Sequence, residues 1–240
     1  MVLSTPQPGS GGSAHCALPA VRGVLAVCAH PDDESFGLGA VLAAFSEMGT
    51  DTAVLSFTHG EASTLHGTDG ELAEVRAKEF ARAADALGIR ARELLDYVDG
   101  GLSTKPLDEL AAHVSMVVES HGADLLLVFD EGGITGHPDH QRATDAALSA
   151  AARLEIPVLA WVVPRPVARR LNSQFGTGFV GRSEGEVDYR LSVDRRRQRE
   201  AIACHRSQSA LNPVLDRRLR LQGDVEWLRW LRRPASTMPT

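Results

Sequence analysis

The sequence predicts an α/β protein with a Rossmann-like fold, in which helices cover both faces of a mainly parallel sheet. Short, almost continuously apolar runs alternate with longer segments whose apolar residues recur every three or four positions. Strands that are apolar on both sides and separated by helices are typical of a buried parallel sheet. The chain has 240 residues, 43% of them apolar, which is enough to bury one large core. We therefore predict a single domain over residues 21–240.

The predicted strands and helices alternate as far as residue 163. Apolar runs rich in Val, Leu, Phe and Trp predict strands over 24–29, 52–58, 93–98, 124–129 and 157–163. Helical periodicity in the intervening segments predicts helices over 37–48, 70–87, 106–121 and 140–153. After Pro164 the pattern changes, and we expect a small C-terminal addition made of a polar hairpin over 178–193 and a helix over 194–208.

The N-terminal residues do not resemble the rest of the chain. MVLSTPQPGSGGSAHC is rich in Ser, Gly and Pro and has no periodic apolar face. It also lacks the basic segment and apolar segment of a secretory signal. We expect residues 1–20 to form a disordered tail rather than a signal peptide.

Charge and cysteine content exclude several classes of protein. A net charge of −6 argues against a nucleic-acid binder, because phosphate contacts need clustered cationic side chains. No apolar run approaches the roughly 18 residues that a membrane span needs. The three cysteines show no CxxC spacing, so neither a disulfide framework nor a thiolate zinc site is indicated. We expect a cytoplasmic protein.

Two similar His-Pro-Asp clusters follow predicted strands. AHPDDE (29–34) comes directly after the first strand, and HPDH (137–140) follows the fourth strand through a Gly-rich loop. Proline favours the first helical position and holds the preceding histidine in an extended conformation. In open α/β sheets, ligands bind outside the carboxyl ends of the strands, where both clusters lie.

Side-chain spacing within the clusters predicts a metal site. Residues three apart in a first helical turn face the same way, so His30 and Asp33 converge on one point, to which His140 is added by the second cluster. Two histidines and one carboxylate leave an open coordination position, as in catalytic zinc sites. Asp32, turned aside from these ligands, is the candidate proton acceptor. Acids after a proline also occur as plain helix caps, but two complementary clusters favour the metal site.

The sequence resembles the LmbE/PIG-L family of metal-dependent N-deacetylases. The resemblance rests on AHPDDE and HPDH together with THGE (58–61), RAKEFARAADALG (76–88) and AIACHRSQ (201–208). It implies zinc-dependent removal of an N-acetyl group from an N-acetylglucosamine-type substrate, with release of acetate. The motifs extend over about 180 residues and leave the N-terminal tail and the last thirty or so residues uncovered.

The resemblance also implies roles for individual residues. Zinc ligands would be His30, Asp33 and His140, and the general base Asp32. His137, oriented by Asp139, would stabilise the oxyanion or protonate the departing amine. Residues expected near the substrate are Glu61, Arg76 and Asp99. For His205 the sequence leaves open a position beside the site or at a helix cap.

Alternatives remain at this point. An amidase that cleaves a larger amide, such as a thiol conjugate, would use the same centre. A non-catalytic Rossmann-like binding module is disfavoured, because acids occupy the place of a GxGxxG phosphate loop. Fe(II) occupies similar two-His, one-carboxylate sites. The expected partner is a small N-acetylated sugar rather than nucleic acid or membrane, and a homo-oligomer stays an open alternative.

Overall fold

The computed structural model describes residues 17–65 and 72–235. Within them, one eight-stranded sheet is covered by helices, so the predicted fold class is confirmed. The strands are β1 (Gly23–Cys28), β2 (Asp51–Thr58), β3 (Ala91–Tyr97), β4 (Leu125–Phe129), β5 (Val158–Pro164), β6 (Gly181–Arg182), β7 (Tyr189–Ser192) and β8 (Val225–Arg232). The helices are α1 (Asp33–Phe36), α2 (Gly39–Glu47), α3 (Leu72–Leu87), α4 (Leu107–His121), α5 (Gly133–Gly136), α6 (Pro138–Leu154), α7 (Arg165–Phe175), α8 (Arg196–Cys204), α9 (Arg206–Ser209) and α10 (Pro213–Gln222).

The sheet has the strand order β3-β2-β1-β4-β5-β8-β7. Strands β1 to β5 pair in parallel, whereas β8 runs antiparallel to both β5 and β7. The five strands and four helices predicted as far as residue 163 all form, with bounds shifted by at most two residues among those described. Apolar runs and helical periodicity located these elements because the helices and the inner strands bury residues against one another, whereas the edge strand β3 has only partly buried and exposed residues.

The predicted hairpin over 178–193 is wrong in its pairing. Its two strands do not pair with each other: β6 lies parallel to the end of β5, and β7 pairs with β8. Gly181 lets β6 lie close to α7, since a Cβ there would be 2.5 Å from the Arg165 Cα. Because β8 lies more than thirty residues beyond β7, local pattern could not reveal this partner.

The predicted helix over 194–208 is interrupted. It forms as α8 and α9, with His205 between them at φ −85° and ψ 57°, outside helical geometry. Sequence analysis also did not predict α7, α10 or β8.

The predicted tail is only partly covered by the described residues. Residues 1–16 lie outside them. Of the remaining tail residues, Leu18 packs against the core on one face of the sheet. The described residues therefore include part of the segment assigned to the tail, and Leu18 within it packs on the core. The single domain over 21–240 stays a prediction.

Alternate residues of β1 face two separate apolar cores. Val24, Ala26 and Cys28 belong to the core that includes α2, α3 and α7 residues. Leu25 and Val27 belong to the core beneath α4 and α6. Because both sides of β1 are buried, the strand shows no polar alternation. In residues 17–65 and 72–235, no helix is long and apolar enough to cross a membrane.

Helix α6 packs closely because its buried face consists of small residues. This face, which contacts β1 and β4, is formed by Ala143, Thr144, Ala146, Ala147, Ala150 and Ala151. Small side chains place the helix start, and with it the second His-Pro-Asp cluster, close to the end of β4.

We expect Ala147→Leu to destabilise the protein by about 1–3 kcal/mol, because added methylenes in a packed core force neighbouring side chains apart. Ala147 is fully buried, whereas Ala152 on the same helix is exposed. Ala152→Leu is thus the matched control and should change the free energy of unfolding by less than about 0.5 kcal/mol. Urea denaturation measures both, and equal effects would contradict the packing described for α6.

Candidate metal centre

The two His-Pro-Asp clusters meet where the strand order reverses. From β1 the chain proceeds to β2 and β3 on one side, then returns to β4 on the other side of β1. Loops leaving the carboxyl ends of β1 and β4 diverge at such a point and leave a crevice between them. His30 follows β1 and His140 lies in the first turns of α6, so both face this crevice.

Three side chains of these clusters converge as predicted. His30 Nδ1 lies 3.2 Å from His140 Nε2, and Asp33 Oδ1 lies 3.1 Å from the same His140 nitrogen. Ligand atoms about 2.0–2.1 Å from a tetrahedral zinc ion are roughly 3.3 Å apart, so the spacing of these donors fits such an ion. The described residues therefore contain a buried His-Asp-His group able to hold a metal.

Neighbouring backbone groups orient two of these three side chains. Asp33 Oδ2 accepts hydrogen bonds of 3.0 Å from the amides of Ala29 and His30, which leaves Oδ1 facing His140. His140 Nδ1 lies 3.1 Å from the Gly133 carbonyl. Because a carbonyl can only accept, Nδ1 carries the proton in the neutral ring, and Nε2 then presents its lone pair to a metal.

His30 is surrounded by carboxylates. Its Nε2 lies 3.0 Å from Asp99 Oδ1 and 3.5 Å from Asp139 Oδ2, on the ring side opposite His140. Burial alone would lower the pKa of His30, but the contacts with Asp139 and Asp99 and the charge of Asp33 raise this pKa to about 10. So much negative charge around one imidazole favours a cation at this position, which a divalent metal would provide.

Asp32 is held in a strained backbone conformation beside the ligands. Its φ is 116°, a value rarely adopted by residues with a Cβ. The Asp32 amide donates to Glu34 Oε2 at 2.9 Å, and Asp32 Oδ2 accepts from Arg76 Nη2 at 2.9 Å. Burial raises the pKa of Asp32 to about 6, although the Arg76 charge lowers it. A carboxylate with such a pKa is well suited to accept a proton near neutral pH.

Arg76, expected near the substrate, supports Asp32. Besides Asp32, its guanidinium donates to the carbonyls of Gly60, at 2.5 Å, and Pro31. A Cβ at Gly60 would lie 2.0 Å from Arg76 Nη1, so this close approach requires glycine. Arg76 is 3% exposed, although part of it lines the cavity. Its contacts fit the positioning of Asp32 better than the binding of a sugar hydroxyl.

His137 lies beside the ligand cluster, and its contact with Asp139 differs from the expected one. Its ring centroid is 5.0 Å from that of His30 and 4.9 Å from that of His140. His137 Nδ1 accepts from the backbone amide of Asp139 at 3.2 Å, so a proton on the neutral ring resides on Nε2. Burial and the two neighbouring histidines lower the pKa of His137, which favours the neutral ring.

The Asp139 carboxylate connects His30 to another loop instead of orienting His137. It accepts from the amides of Gly100, at 2.7 Å, and Leu102, at 3.1 Å, while facing His30. Asp139 is fully buried. The role of orienting His137 was implied for Asp139 by the family resemblance, and no local signal in the sequence indicates the contact of Asp139 with the loop that follows β3.

Asp99 and Glu61, also expected near the substrate, connect the loops after β2 and β3. Asp99 Oδ2 accepts from the Ala62 amide at 2.9 Å, and the Asp99 amide donates to Glu61 Oε1 at 2.9 Å. Asp99 lines the cavity in front of the metal centre, whereas Glu61 is not among the described residues lining it. Their part in substrate binding stays a prediction.

Sequence analysis missed the buried pair of Glu34 and His205. Both are fully buried, and His205 Nε2 lies 2.6 Å from Glu34 Oε1. Burial alone would lower the pKa of His205, but Glu34 raises it. Since the other Glu34 oxygen accepts from the Asp32 amide, His205 lies behind the metal centre at the junction of α8 and α9.

A cavity of about 560 Å³ opens in front of the metal centre. Its polar lining includes Ser63, Thr64, Asp99, Gln208 and Asn212. Many other lining residues are aromatic or apolar, and none of these was predicted from the sequence as part of a site. They are Phe36, Phe129, Ile134, Trp161, Phe179, Val214 and Leu215, and the cation Arg218 lines the cavity beside them.

Comparison with known protein families agrees with this arrangement. The model of the family described as PIG-L, GlcNAc-PI de-N-acetylase, matches residues 25–151, which is more than half of the chain and includes both His-Pro-Asp clusters. The chain belongs to the PIG-L family. The resemblance stated from the motifs is thus confirmed.

Among curated relatives, a protein of Catenulispora acidiphila named 1D-myo-inositol 2-acetamido-2-deoxy-alpha-D-glucopyranoside deacetylase 1 is 34% identical over 182 residues. The match covers 65% of this chain but only 56% of that relative. The zinc-inhibited form of teicoplanin deacetylase Orf2 superposes with a TM-score of 0.67 at 22% identity, covering 89% of this chain and 100% of that one.

The same fold also occurs in a protein that is described as a hydratase rather than a deacetylase. GalB of Pseudomonas putida, a 4-carboxy-2-hydroxymuconate hydratase, superposes with a TM-score of 0.67 at 16% identity over 91% of this chain and 100% of its own. Likeness at this level of identity shows the fold alone, so the reaction of this PIG-L family chain has to be argued from its site.

We expect the wild-type protein to bind about one zinc ion per chain. The His140→Ala variant should lose this zinc. Removing the His140 Nε2 donor leaves two of the three ligand atoms, and affinity should fall by more than about 100-fold. Elemental analysis after desalting measures the stoichiometry. His113→Ala, at a histidine on α4 away from the cavity, is the matched control and should keep its metal. Full zinc content in His140→Ala would remove this residue from the ligand set.

Proposed function

We propose that the protein is a zinc-dependent N-deacetylase that hydrolyses the N-acetyl group of an N-acetylglucosamine-type conjugate and releases acetate. The observation that carries this proposal is the buried group of His30, Asp33 and His140, with Asp32 and His137 beside it at one end of a cavity. The names of the curated relative and of teicoplanin deacetylase support the same reaction class.

Zinc is the proposed metal, held by His30, Asp33 and His140. Two imidazoles and one carboxylate match the donor set of catalytic zinc sites with an open position. When bound, the ion would lower the pKa of a water to about 7 and polarise the amide carbonyl. Iron would fit the same donors. Teicoplanin deacetylase Orf2 has a zinc-inhibited form, so zinc binds to that solved relative.

Asp32 and His137 supply the proton transfers in the proposed reaction. Asp32 accepts a proton from the attacking water while the new C–O bond forms, and Arg76 keeps its carboxylate in place. His137, with its proton on Nε2, donates a hydrogen bond to the oxyanion. Asp32 then returns the proton to the amine nitrogen as the C–N bond breaks, so that amide and water give acetic acid and amine, which at neutral pH are acetate and the protonated amine.

The comparisons do not define the group to which the N-acetylated sugar is attached. The match covers about half of the first curated relative, so its inositol conjugate is not transferred to this chain. An amidase acting on a larger amide is the second candidate, because a cavity of about 560 Å³ holds much more than an acetyl group. The cytoplasmic location expected from the cysteine pattern stays a prediction.

Acetate release tests the proposal directly. Enzyme with measured metal content is incubated with N-acetylated sugars, among them N-acetylglucosaminyl-inositol and simple N-acetylglucosaminides, and with a bulky thiol-conjugate amide. Because Orf2 has a zinc-inhibited form, zinc is titrated from below to above one equivalent. Acetate release that peaks near one equivalent supports the proposal. Turnover of the bulky amide alone would favour the amidase, and no hydrolysis of any amide would refute both.

Asp32→Asn should keep zinc but lose rate. The amide side chain has nearly the same shape and still accepts from Arg76, while the three ligands are unchanged. Since general-base catalysis contributes about 10²–10⁴-fold, kcat should fall in that range with little change in KM. Asp108→Asn, at an exposed acid on α4, is the control. Near-normal kcat with zinc bound would contradict the assignment, and loss of zinc would make Asp32 a ligand.

Arg76→Gln distinguishes the two roles of Arg76. If Arg76 positions Asp32, kcat should fall by about 10- to 100-fold, because a charge-assisted hydrogen bond to Asp32 is lost, and KM should stay within about twofold. If Arg76 binds sugar hydroxyls, KM should rise instead. Steady-state kinetics at matched zinc content separates these outcomes. Arg82→Gln, at a side chain on the exposed side of α3, controls for loss of charge on this helix.

A further inference from the structure

We propose that Arg218 forms a subsite for an anionic group of the substrate, a carboxylate or a phosphate, in the part of the cavity lined by Trp161 and Phe129. This inference rests on the proposed function for its account of the substrate. Arg218 itself is assigned neither to metal binding nor to proton transfer.

Arg218 is a buried cation without a carboxylate partner among the described residues. It lies on α10, is 4% exposed and lines the cavity. Its Nη1 donates to Gln222 Oε1 at 3.0 Å, and its Nη2 donates to the Phe36 carbonyl. A guanidinium has five N–H donors, so these two neutral acceptors leave several of them available.

The buried acid whose charge acts on Arg218 is Glu226, and it already accepts hydrogen bonds from other groups. Glu226 is fully buried and accepts from Arg195 at 2.5 Å, from Trp161 Nε1 at 2.6 Å and from Gln222 Nε2 at 2.5 Å. Arg195 neutralises its charge. Arg195, Arg218 and Glu226 therefore carry a net charge of +1 in a buried region. Burial and Arg195 lower the pKa of Arg218 to about 10, with Glu226 acting in the opposite direction, so it stays charged at neutral pH.

A row of aromatic rings connects Arg218 to the metal centre. The Arg218 guanidinium lies 5.0 Å from the Trp161 ring centroid, which is 5.6 Å from that of Phe129. The Phe129 ring is in turn 5.0 Å from the ring of the candidate ligand His140. All four residues line the same cavity. A substrate with its amide at the metal would thus place an apolar or planar body along these rings and an anionic group at Arg218.

Charge favours an anion over a neutral polar group at this end. An unpaired buried charge is costly, and a carboxylate or phosphate compensates it through charge-assisted hydrogen bonds. The planar guanidinium, stacked on Trp161, presents its remaining donors in a fixed geometry that suits two-oxygen acceptors. A neutral hydroxyl would leave the charge uncompensated.

Isosteric substrates test the subsite from both sides of the scissile amide. On the amine side, 4-carboxyphenyl N-acetylglucosaminide is compared with its 4-carbamoylphenyl analogue. On the acyl side, N-adipoylglucosamine is compared with its terminal amide. We expect kcat/KM to favour the anionic member of one pair by about 10- to 100-fold in the wild-type enzyme. The pair that shows the preference identifies the side of the amide that reaches Arg218, and a ratio near one in both pairs would overturn the proposal.

Variants assign that preference to Arg218. Arg218→Gln should bring the ratio near one, Arg218→Lys should restore part of it, and Arg220→Gln, at an exposed position of the same helix, should leave it unchanged. A ratio of two substrates cancels any loss of folded enzyme, so a purely structural role of Arg218 would not alter it. An unchanged ratio in Arg218→Gln would overturn the proposal. If neither Arg218 variant folds, a wild-type kcat/KM ratio near one in both substrate pairs still overturns the proposal.

Direct binding separates this inference from the proposed function. Zinc-loaded wild-type and Arg218→Gln proteins are titrated calorimetrically with benzoate and with benzamide. We expect the substitution to raise the Kd of benzoate at least about tenfold and to leave that of benzamide unchanged. Benzoate bound only at the metal would have the same Kd in both proteins and would overturn the subsite. This result does not depend on hydrolysis, so the absence of any deacetylation would refute the proposed function alone.

Discussion

The buried negative charge around His30 organises the site. Asp33, Asp99 and Asp139 all lie within 4 Å of its ring nitrogens. Each of these carboxylates also accepts a hydrogen bond from a backbone amide: Asp33 from Ala29 at the end of β1, Asp99 from Ala62 after β2, and Asp139 from Gly100 after β3. One acidic cluster therefore brings three loops to the same point. Buried carboxylates close together are stable only with compensating charge, and a divalent cation bound by His30 and its neighbours would supply it.

The second constraint is the conformation of Asp32. A φ of 116° directs its side chain away from that of Asp33, the next residue, so one can face Arg76 while the other faces His140. Such backbone strain persists only where surrounding contacts stabilise it. Here the Asp32 amide is bound by Glu34, which is fixed in turn by His205. The C-terminal helices thereby stabilise the geometry of the motif that follows β1.

The site residues that local spacing brings together could be predicted from the sequence, whereas the contacts made by loops distant in the chain could not. The convergence of His30, Asp33 and His140 was predictable, because helical spacing and the ends of parallel strands place them. The contacts of Arg76 and of the Asp139 carboxylate were not predictable, since both depend on which loops of the folded chain lie next to these side chains. For the same reason the pairing of β7 with β8 was missed, although the central strands and helices were found. No local pattern in the sequence indicated that Arg218 is buried without a carboxylate partner among the described residues, because helical periodicity does not distinguish a buried cation from an exposed one.

Charge is distributed unevenly along the cavity. The end at His30 carries several carboxylates, whereas the end at Arg218 has one uncompensated cation, with Phe129 and Trp161 between them. A bound metal ion would add positive charge at the first end only, close to His30. The same fold supports proteins named as deacetylases and as a hydratase, so the strands and the crevice alone do not select a substrate. A residue outside the two His-Pro-Asp clusters, such as Arg218 in the proposed anion subsite, is one that would contribute to this selection.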